Sequence, residues 1–382
     1  MPKEVRKLLL DTFRDGYQKS SGRRQKTKLI DDFCFVTKYS RKHAIRILNG
    51  SCNPRDRGRP GPRRKYDLDL CWPLFSLWND MNRMCSKRMV AAIPLWLPYL
   101  SELSGGEKKM LISMSASTID RMLKPFRKKK GISTTRASMI KRSIPIKLLD
   151  GEITEPGHLE SDTVSHCGSG LGGRFASSLT VTDLCTGWTE NRATVSKEGE
   201  KIAVATKSVL KSLPFKTKTW SSDNGSEFIN KPVVKVLRSQ KIEVQRRRPY
   251  KKNDAAHVEQ KNWTHVRQLF GYDRLEGDEL VQMMNEIYQV YWGPLQNFFM
   301  PMMKLTEKTR VGGRIIKKYD IPKTPYQRVM DSEKLDLQQR SQLKQRMEGK
   351  NPFYLKKELE KRLKIFFKVV ERKRIKLLED AA

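Results

Sequence analysis

Three acidic residues stand where metal-assisted chemistry needs them. Asp162 lies in the run His158-Leu-Glu-Ser-Asp-Thr-Val164, which reads as a strand. A period of two puts His158, Glu160, Asp162 and Val164 on one face. Asp223 stands in Ser221-Ser-Asp-Asn-Gly-Ser-Glu-Phe228. Its Asp-Asn-Gly turn closes a strand and leads into a helix, and α/β sheets place active sites at the C-terminal ends of strands. Glu259 falls on a helix, where 3.6-residue spacing groups it with Trp263, Val266 and Phe270. A carboxylate on an apolar face is costly unless it is paired or binds a metal. The other face, with His257, Lys261 and Arg267, is expected to be solvated or to contact DNA.

Carboxylates from two strands and a helix suit phosphoryl transfer assisted by two Mg²⁺ or Mn²⁺ ions roughly 4 Å apart. Mg²⁺ takes oxygen ligands, usually one or two carboxylates with waters and phosphate oxygens. Zinc is not expected. The six cysteines, at 34, 52, 71, 85, 167 and 185, form no C-x-x-C pair, and none lies near a histidine at zinc-finger spacing.

Sixty residues separate Asp162 from Asp223, and 35 separate Asp223 from Glu259. This spacing resembles the D,D(35)E signature of retroviral integrases and insertion-sequence transposases. The segment from Gly157 to about residue 296 is similar to their integrase core in three places: the Asp162-Thr163 strand, Asp223-Asn-Gly-Ser-Glu-Phe228, and Asn253-Asp-Ala-Ala-His-Val-Glu259 with Gln260, Lys261 and Asn262. Within that superfamily it most resembles bacterial insertion-sequence transposases with an N-terminal helix-turn-helix. The zinc-binding His-His-Cys-Cys module of retroviral integrases is absent from the sequence. The resemblance implies an RNase H-like fold, a mixed five-stranded sheet flanked by helices. It also implies that Asp162 bridges both metals while Asp223 holds one and Glu259 the other. Phosphodiester hydrolysis and strand transfer would then need neither a covalent protein–DNA intermediate nor ATP.

Other polar residues of the segment carry weaker expectations. Glu160 is a fourth acid near the metals or, more simply, a partner in a sheet-edge ion pair. His158, His166 and His257 read as surface or hydrogen-bonded histidines, and Cys167 needs no catalytic role. Arg246, Arg247, Arg248, Lys251 and Lys252 cluster just before the Glu259 helix and suit phosphate contacts, with a solvated face as the alternative.

Positioning these groups falls to an α/β segment over residues 153–300. Strands are expected at His158–Val164, Ser178–Cys185, Trp188–Val195, Thr217–Asp223 and Ile242–Arg248, with helices at 199–212 and 226–240 and after Asn253. Upstream the chain reads as all-α. In residues 1–52, Leu29, Ile30, Phe33 and Val36 mark one helix. Ser40 caps a second, Arg41–Leu48, with Ala44, Ile45 and Leu48 inward and Arg41, Lys42 and Arg46 outward. A basic second helix after a tight turn is a helix-turn-helix outline, which an ordinary helical hairpin shares. Residues 53–66 form a basic linker whose Arg57-Gly-Arg-Pro60 core resembles an AT-hook. Residues 67–130 carry two apolar stripes: Leu70, Leu74, Leu77, Trp78 and Met81, then Met89 to Leu103. A second helix-turn-helix outline follows, opened by Ser117 and Asp120, with Arg121, Lys124, Arg127 and Lys128 exposed. Residues 131–152 read as another linker. Residues 301–382 read as basic and partly helical, with a helix at Pro352–Leu378.

Across 382 residues, 77 Lys and Arg face 42 Asp and Glu, a formal charge of +35. Such an excess calls for a polyanionic partner, most simply DNA. No run of 18 apolar residues and no secretory signal is present, so a bacterial, cytoplasmic, nucleoid-associated protein without a membrane partner is expected. Joining two DNA ends implies a homo-oligomer on DNA. The competing readings are another RNase H-fold nuclease and a non-catalytic DNA-binding regulator derived from a transposase.

Overall fold

The computed structural model describes residues 3–50, 66, 70–127, 153–170, 172–222, 231–246, 256–311 and 314–379. The chain forms two compact units, Met1–Lys65 and Tyr66–Ala382. The linkers expected at 53–66 and 131–152 lie almost wholly outside the described residues.

The first unit contains α1 (Lys3–Lys19), α2 (Arg23–Thr37) and α3 (Arg41–Leu48). Ile30, Phe33, Ala44 and Leu48 make its core. Lys38 ends α2 in the left-handed region at φ 58°, and Ser40 holds the extended N-cap position of α3. The inward face of α3 is Ala44, Ile47 and Leu48. Ile45, expected inward, is only half-buried. Arg14 of α1 explains the shift, because its guanidinium donates to the Ile47 carbonyl at 2.9 Å and draws that side of α3 against α1. Val36, at the end of the expected α2 stripe, is exposed. Arg41, Lys42 and Arg46 all reach solvent.

The second unit opens with α4 (Cys71–Asp80), α5 (Ser86–Trp96), α6 (Gly105–Ile112) and α7 (Ala116–Leu123). The stripe Leu70, Leu74, Leu77, Trp78 and Met81 is buried throughout. The start of α7 lies earlier than expected, because Ser115 caps it by accepting the Thr118 N–H at 3.2 Å. Asp120 instead accepts from the Ser86 hydroxyl at 2.8 Å and from Arg127 at 2.6 Å, which ties α7 to α5. These helices pack directly onto later parts of the chain. The Trp96 indole donates to the Phe299 carbonyl at 3.0 Å, and its ring meets Phe353 edge-on at 4.9 Å. Buried residues of α4–α7, of the α/β segment and of the C-terminal region thus fall in one hydrophobic cluster.

The sheet consists of β1 (His158–Ser165), β2 (Ser177–Asp183), β3 (Thr189–Thr194), β4 (Thr219–Ser222) and β5 (Glu243–Arg246). Its order is β3-β2-β1-β4-β5, with β1–β2 and β2–β3 antiparallel and β1–β4 and β4–β5 parallel. This is the mixed five-stranded sheet of the RNase H-like class. Helices α8 (Gly199–Ser212) and α9 (Lys231–Ser239) make the parallel crossovers.

The edge strand β3 has a polar sequence, Thr-Glu-Asn-Arg-Ala-Thr, and yet is buried along its whole length. Two asparagines act as a surrogate strand against it. Asn297 accepts the Thr189 N–H at 3.1 Å and donates to the Thr189 carbonyl at 3.0 Å. Asn285 does the same for Ala193, at 2.8 and 2.9 Å. An open sheet edge is thereby closed by side chains.

After β5 come α10 and α11, each interrupted by a π-helical turn. The first runs Ala256–Lys261, Asn262–Arg267, Gln268–Phe270, and the second Asp278–Glu286, Ile287–Trp292, Gly293–Phe299. The C-terminal region contains β6 (Leu305–Val311), β7 (Arg314–Tyr319), α12 (Pro325–Asp331), α13 (Leu337–Met347) and α14 (Pro352–Glu379). The β6–β7 hairpin was not expected. Its signal is the Gly312-Gly313 pair between two runs rich in β-branched residues. The long α14 runs as expected. Its fully buried Phe366 packs on Phe270 with ring centroids 5.0 Å apart, so the C-terminal helix braces α10.

Candidate active site

β1 is the central strand, and its polar face meets the start of α10. Glu160 is 1% exposed, and its Oε2 accepts the backbone N–H of Val258 at 3.3 Å. The first N–H groups of a helix have no partner within the helix and carry the positive end of its dipole. A buried carboxylate there satisfies a donor and fixes where the helix begins. Glu160 is therefore a helix anchor on a central strand, and the sheet-edge position expected for it does not exist.

Two residues along the same face, Asp162 is half-buried. Its Oδ1 accepts the Thr163 N–H at 2.8 Å, and its Oδ2 accepts from the Asn262 amide at 2.7 Å. Asn262 lies three residues beyond Glu259, one helical turn on. β1 thus holds α10 at Val258 and at Asn262, on either side of Glu259.

Glu259 itself is exposed. The expected alignment of Glu259 and Trp263 with Val266 and Phe270 does not occur. Trp263 is 51% exposed, whereas Val266 and Phe270 are fully buried. The π-helical turn Asn262–Arg267 is the cause, because its wider hydrogen-bond rings add a residue and rotate the apolar face between the two halves of α10. Val258, His265, Val266, Leu269 and Phe270 form the buried side. Glu259 therefore faces outward at no desolvation cost.

The opposite face is not simply solvated. Lys261 is half-buried, and burial, reinforced by Arg88, pushes its ammonium down to about 8. Arg267 donates to the Ser165 carbonyl at 3.1 Å and stacks on Tyr272 at 4.5 Å. His158 hydrogen-bonds with Thr219 at 3.0 Å, and buried His166 with Ser178 at 2.9 Å, in line with hydrogen-bonded histidines. Burial, with Arg267 second, pushes His166 down to about 3 and keeps the imidazole neutral. Asp223, Arg247, Arg248, Lys251 and Lys252 lie outside the described residues, as do the side chains of Arg246 and His257. β4 ends at Ser222, directly before Asp223.

Local sequence pattern assigns Asn262 no role of its own. Its amide nitrogen serves Asp162, and its amide oxygen is buried with no donor among the described residues. An unsatisfied buried carbonyl beside a carboxylate is an acceptor that a hydrated cation can satisfy. The oxygens of Asp162 and Asn262 are hard donors, which suit Mg²⁺ or Mn²⁺ better than a soft metal.

The integrase core domain family model matches residues 154–252. The chain is 38% identical over 339 residues to the protein y4rM of Sinorhizobium fredii, covering 85% of this chain and 95% of that protein. Among solved structures, the HTLV-2 integrase catalytic core domain in complex with magnesium aligns at 16% identity over 30% of this chain and 69% of its own, with a TM-score of 0.25. The catalytic core domain of BIV integrase aligns at 14% identity over 46% of this chain and 95% of its own, with a TM-score of 0.29. Residues 154–252 thus match the integrase core domain, set on a mixed five-stranded sheet, and the chain as a whole belongs to one family with y4rM of Sinorhizobium fredii.

Proposed function

We propose that the protein is a DNA transposase of the insertion-sequence type. In this reading it binds the ends of a mobile element, hydrolyses a phosphodiester at each end and joins the freed 3′-OH to target DNA. The observation that carries it is the hydrogen bond from Asn262 to Asp162, which fastens the helix bearing Glu259 to the central strand. The parallel register adds support. His158 pairs with Thr219 and Glu160 with Ser221, an offset of 61 residues, and the same interval separates Asp162 from Asp223.

Asp162, Asp223 and Glu259 are the residues that would hold two Mg²⁺ or Mn²⁺ ions. When bound, such ions supply charge stabilisation for an in-line displacement at phosphorus. The chain's own part is positional. Asn262 fixes the rotamer of the Asp162 carboxylate. Glu160 fixes the start of α10 and hence the height of Glu259 above the sheet. Phe366 and Phe270 keep α10 from tilting. Helix α3, with Arg41, Lys42 and Arg46, is the candidate reader of end sequences, because a basic second helix of this kind enters the major groove. Arg121 and Lys124 of the α4–α7 segment would add phosphate contacts, and assembly of two ends calls for a homo-oligomer.

The reading is tested with the full chain and a variant lacking residues 1–52, on duplexes that carry the DNA flanking the coding region. The full chain is expected to protect inverted repeats in a footprint and to cleave at their ends in Mg²⁺. The truncated chain is expected to retain weak binding without sequence preference. Absence of any divalent-metal-dependent cleavage or joining on these duplexes would remove the transposase reading, and a footprint that survives the truncation would remove α3 as the reader.

A further inference from the structure

Among the described residues, β6 and β7 pair with no strand but each other. An isolated two-stranded ribbon has no apolar core, and it is marginally stable in water. This one nevertheless leaves large apolar side chains in solvent: Ile315 is 47% exposed, Ile316 48% and Tyr319 47%. The register sets Lys308 opposite Lys317 and Arg310 opposite Ile315, and on the other face Glu307 opposite Lys318 and Thr309 opposite Ile316. Each face therefore combines an isoleucine with cations. Over Leu305–Tyr319 the sequence has five Lys or Arg and one acid, Glu307, which pairs with Lys318 at 2.7 Å.

We propose that the β6–β7 hairpin is a DNA-binding ribbon that lies in a groove of duplex DNA, with Lys317 and Lys318 on the phosphates and Ile315 and Ile316 against base or sugar edges. Three features favour DNA over a second copy of this chain. The ribbon is cationic, and the whole chain carries +35, so a copy would repel it. A two-stranded ribbon fits the major groove, about 12 Å wide. Isoleucines on both faces suit a groove, which has two walls, better than a flat protein surface, which meets only one. The proposal rests on the transposase reading only in taking DNA as the substrate.

The test uses full-length protein carrying Glu259→Gln, so that cleavage does not alter the DNA during the measurement. Binding to a 40-base-pair duplex is followed by fluorescence anisotropy across a salt series, with and without Lys317→Ala/Lys318→Ala, and separately with Ile315→Thr/Ile316→Thr. Each phosphate contact contributes about 0.9 to the slope of log affinity against log salt. The lysine variant is expected to reduce that slope by about 2 and to weaken binding about tenfold or more near 0.15 M salt. The isoleucine variant is expected to weaken binding with the slope unchanged. Thermal melting and sedimentation velocity accompany each variant, and both are expected to match the parent. Parent-like affinity and slope in the folded lysine variant would overturn the ribbon proposal and leave the transposase reading standing. A change of sedimentation coefficient with DNA binding intact would overturn it in favour of a contact between copies. No DNA binding by the parent protein would overturn both.

Discussion

Asn262→Ala separates stability from positioning at the site. The amide donates to Asp162 Oδ2 at 2.7 Å. A hydrogen bond to a charged group contributes about 1.5–3 kcal/mol. The same substitution deletes the Asn262 amide oxygen, which is buried with no donor among the described residues, a burial that costs about 1–3 kcal/mol. The two effects have opposite signs and similar size. The net change in stability is therefore expected to stay within about 1 kcal/mol, a Tm shift of less than about 4 °C. Chemistry has no such compensation. Without this donor the hold on Oδ2 is lost while the Thr163 N–H remains on Oδ1, so the Asp162 carboxylate is less firmly placed, and a misplacement near 1 Å costs on the order of 10²-fold in rate. The assay is single-turnover strand transfer of labelled end DNA over a Mg²⁺ titration. Asn262→Ala is expected to lower the rate at saturating Mg²⁺ about 100-fold and to raise the Mg²⁺ midpoint, with end binding unchanged. Asn262→Asp, which sets a second carboxylate against Asp162, is expected to move the midpoint further. A folded Asn262→Ala protein with a rate within about threefold of wild type and an unmoved midpoint would show that Asn262 does not position Asp162.

Two further outcomes concern the fold. Asn297→Leu leaves the buried N–H and carbonyl of Thr189 unpaired, so a loss of about 2–4 kcal/mol is expected in urea unfolding, and a loss under about 0.5 kcal/mol would show that the edge of β3 finds other partners. The buried imidazoles of His166 and His265 are both held below their ordinary range by burial, with Arg267 and Lys261 respectively adding to it. A folded-state pKa below the unfolded value of about 6.5 means that the unfolded chain binds more protons. This stability is fully present above about pH 6.5 and is lost as pH falls toward the folded value of about 3. The unfolding free energy from urea titration is expected to drop between pH 7 and pH 5, by on the order of 1–2 kcal/mol for His166 with His265 acting in the same direction, and to drop less in His166→Gln. A flat profile over that window would place these rings in contact with water.

Much of the α/β segment was legible because its strands and helices differ in period and composition. Helix 199–212 and the long C-terminal helix were read nearly to the residue, since apolar positions at helical spacing have few alternative explanations. Asp162 was legible as a strand residue on the same face as Glu160. Three things were hidden. The π-helical turn at Asn262–Arg267 has no sequence mark, so ideal helical spacing placed Glu259 on the wrong side of α10. The roles of Glu160 and Asn262 depend on contacts made across about 100 residues of chain, which no local pattern encodes. The shared core of residues 67–130 with the C-terminal region was hidden for the same reason, because Trp96 reads as one more apolar position until Phe299 and Phe353 meet it.

The proposal that Asp162, Asp223 and Glu259 form one metal-dependent catalytic site is tested most directly by strand transfer of labelled end DNA in Mg²⁺, Mn²⁺, Ca²⁺ or EDTA, by wild type and by Asp162→Asn, Asp223→Asn and Glu259→Gln. Wild type is expected to be active in Mg²⁺ and Mn²⁺. It is expected to bind DNA with little or no chemistry in Ca²⁺, whose longer bonds and looser shell misplace the reacting oxygen, and to be inactive in EDTA. Each variant is expected to bind end DNA as wild type does and to cleave and join nothing. Full activity in EDTA, or any one variant within about tenfold of wild type, a loss of less than about 1.4 kcal/mol in barrier stabilisation, would contradict the site.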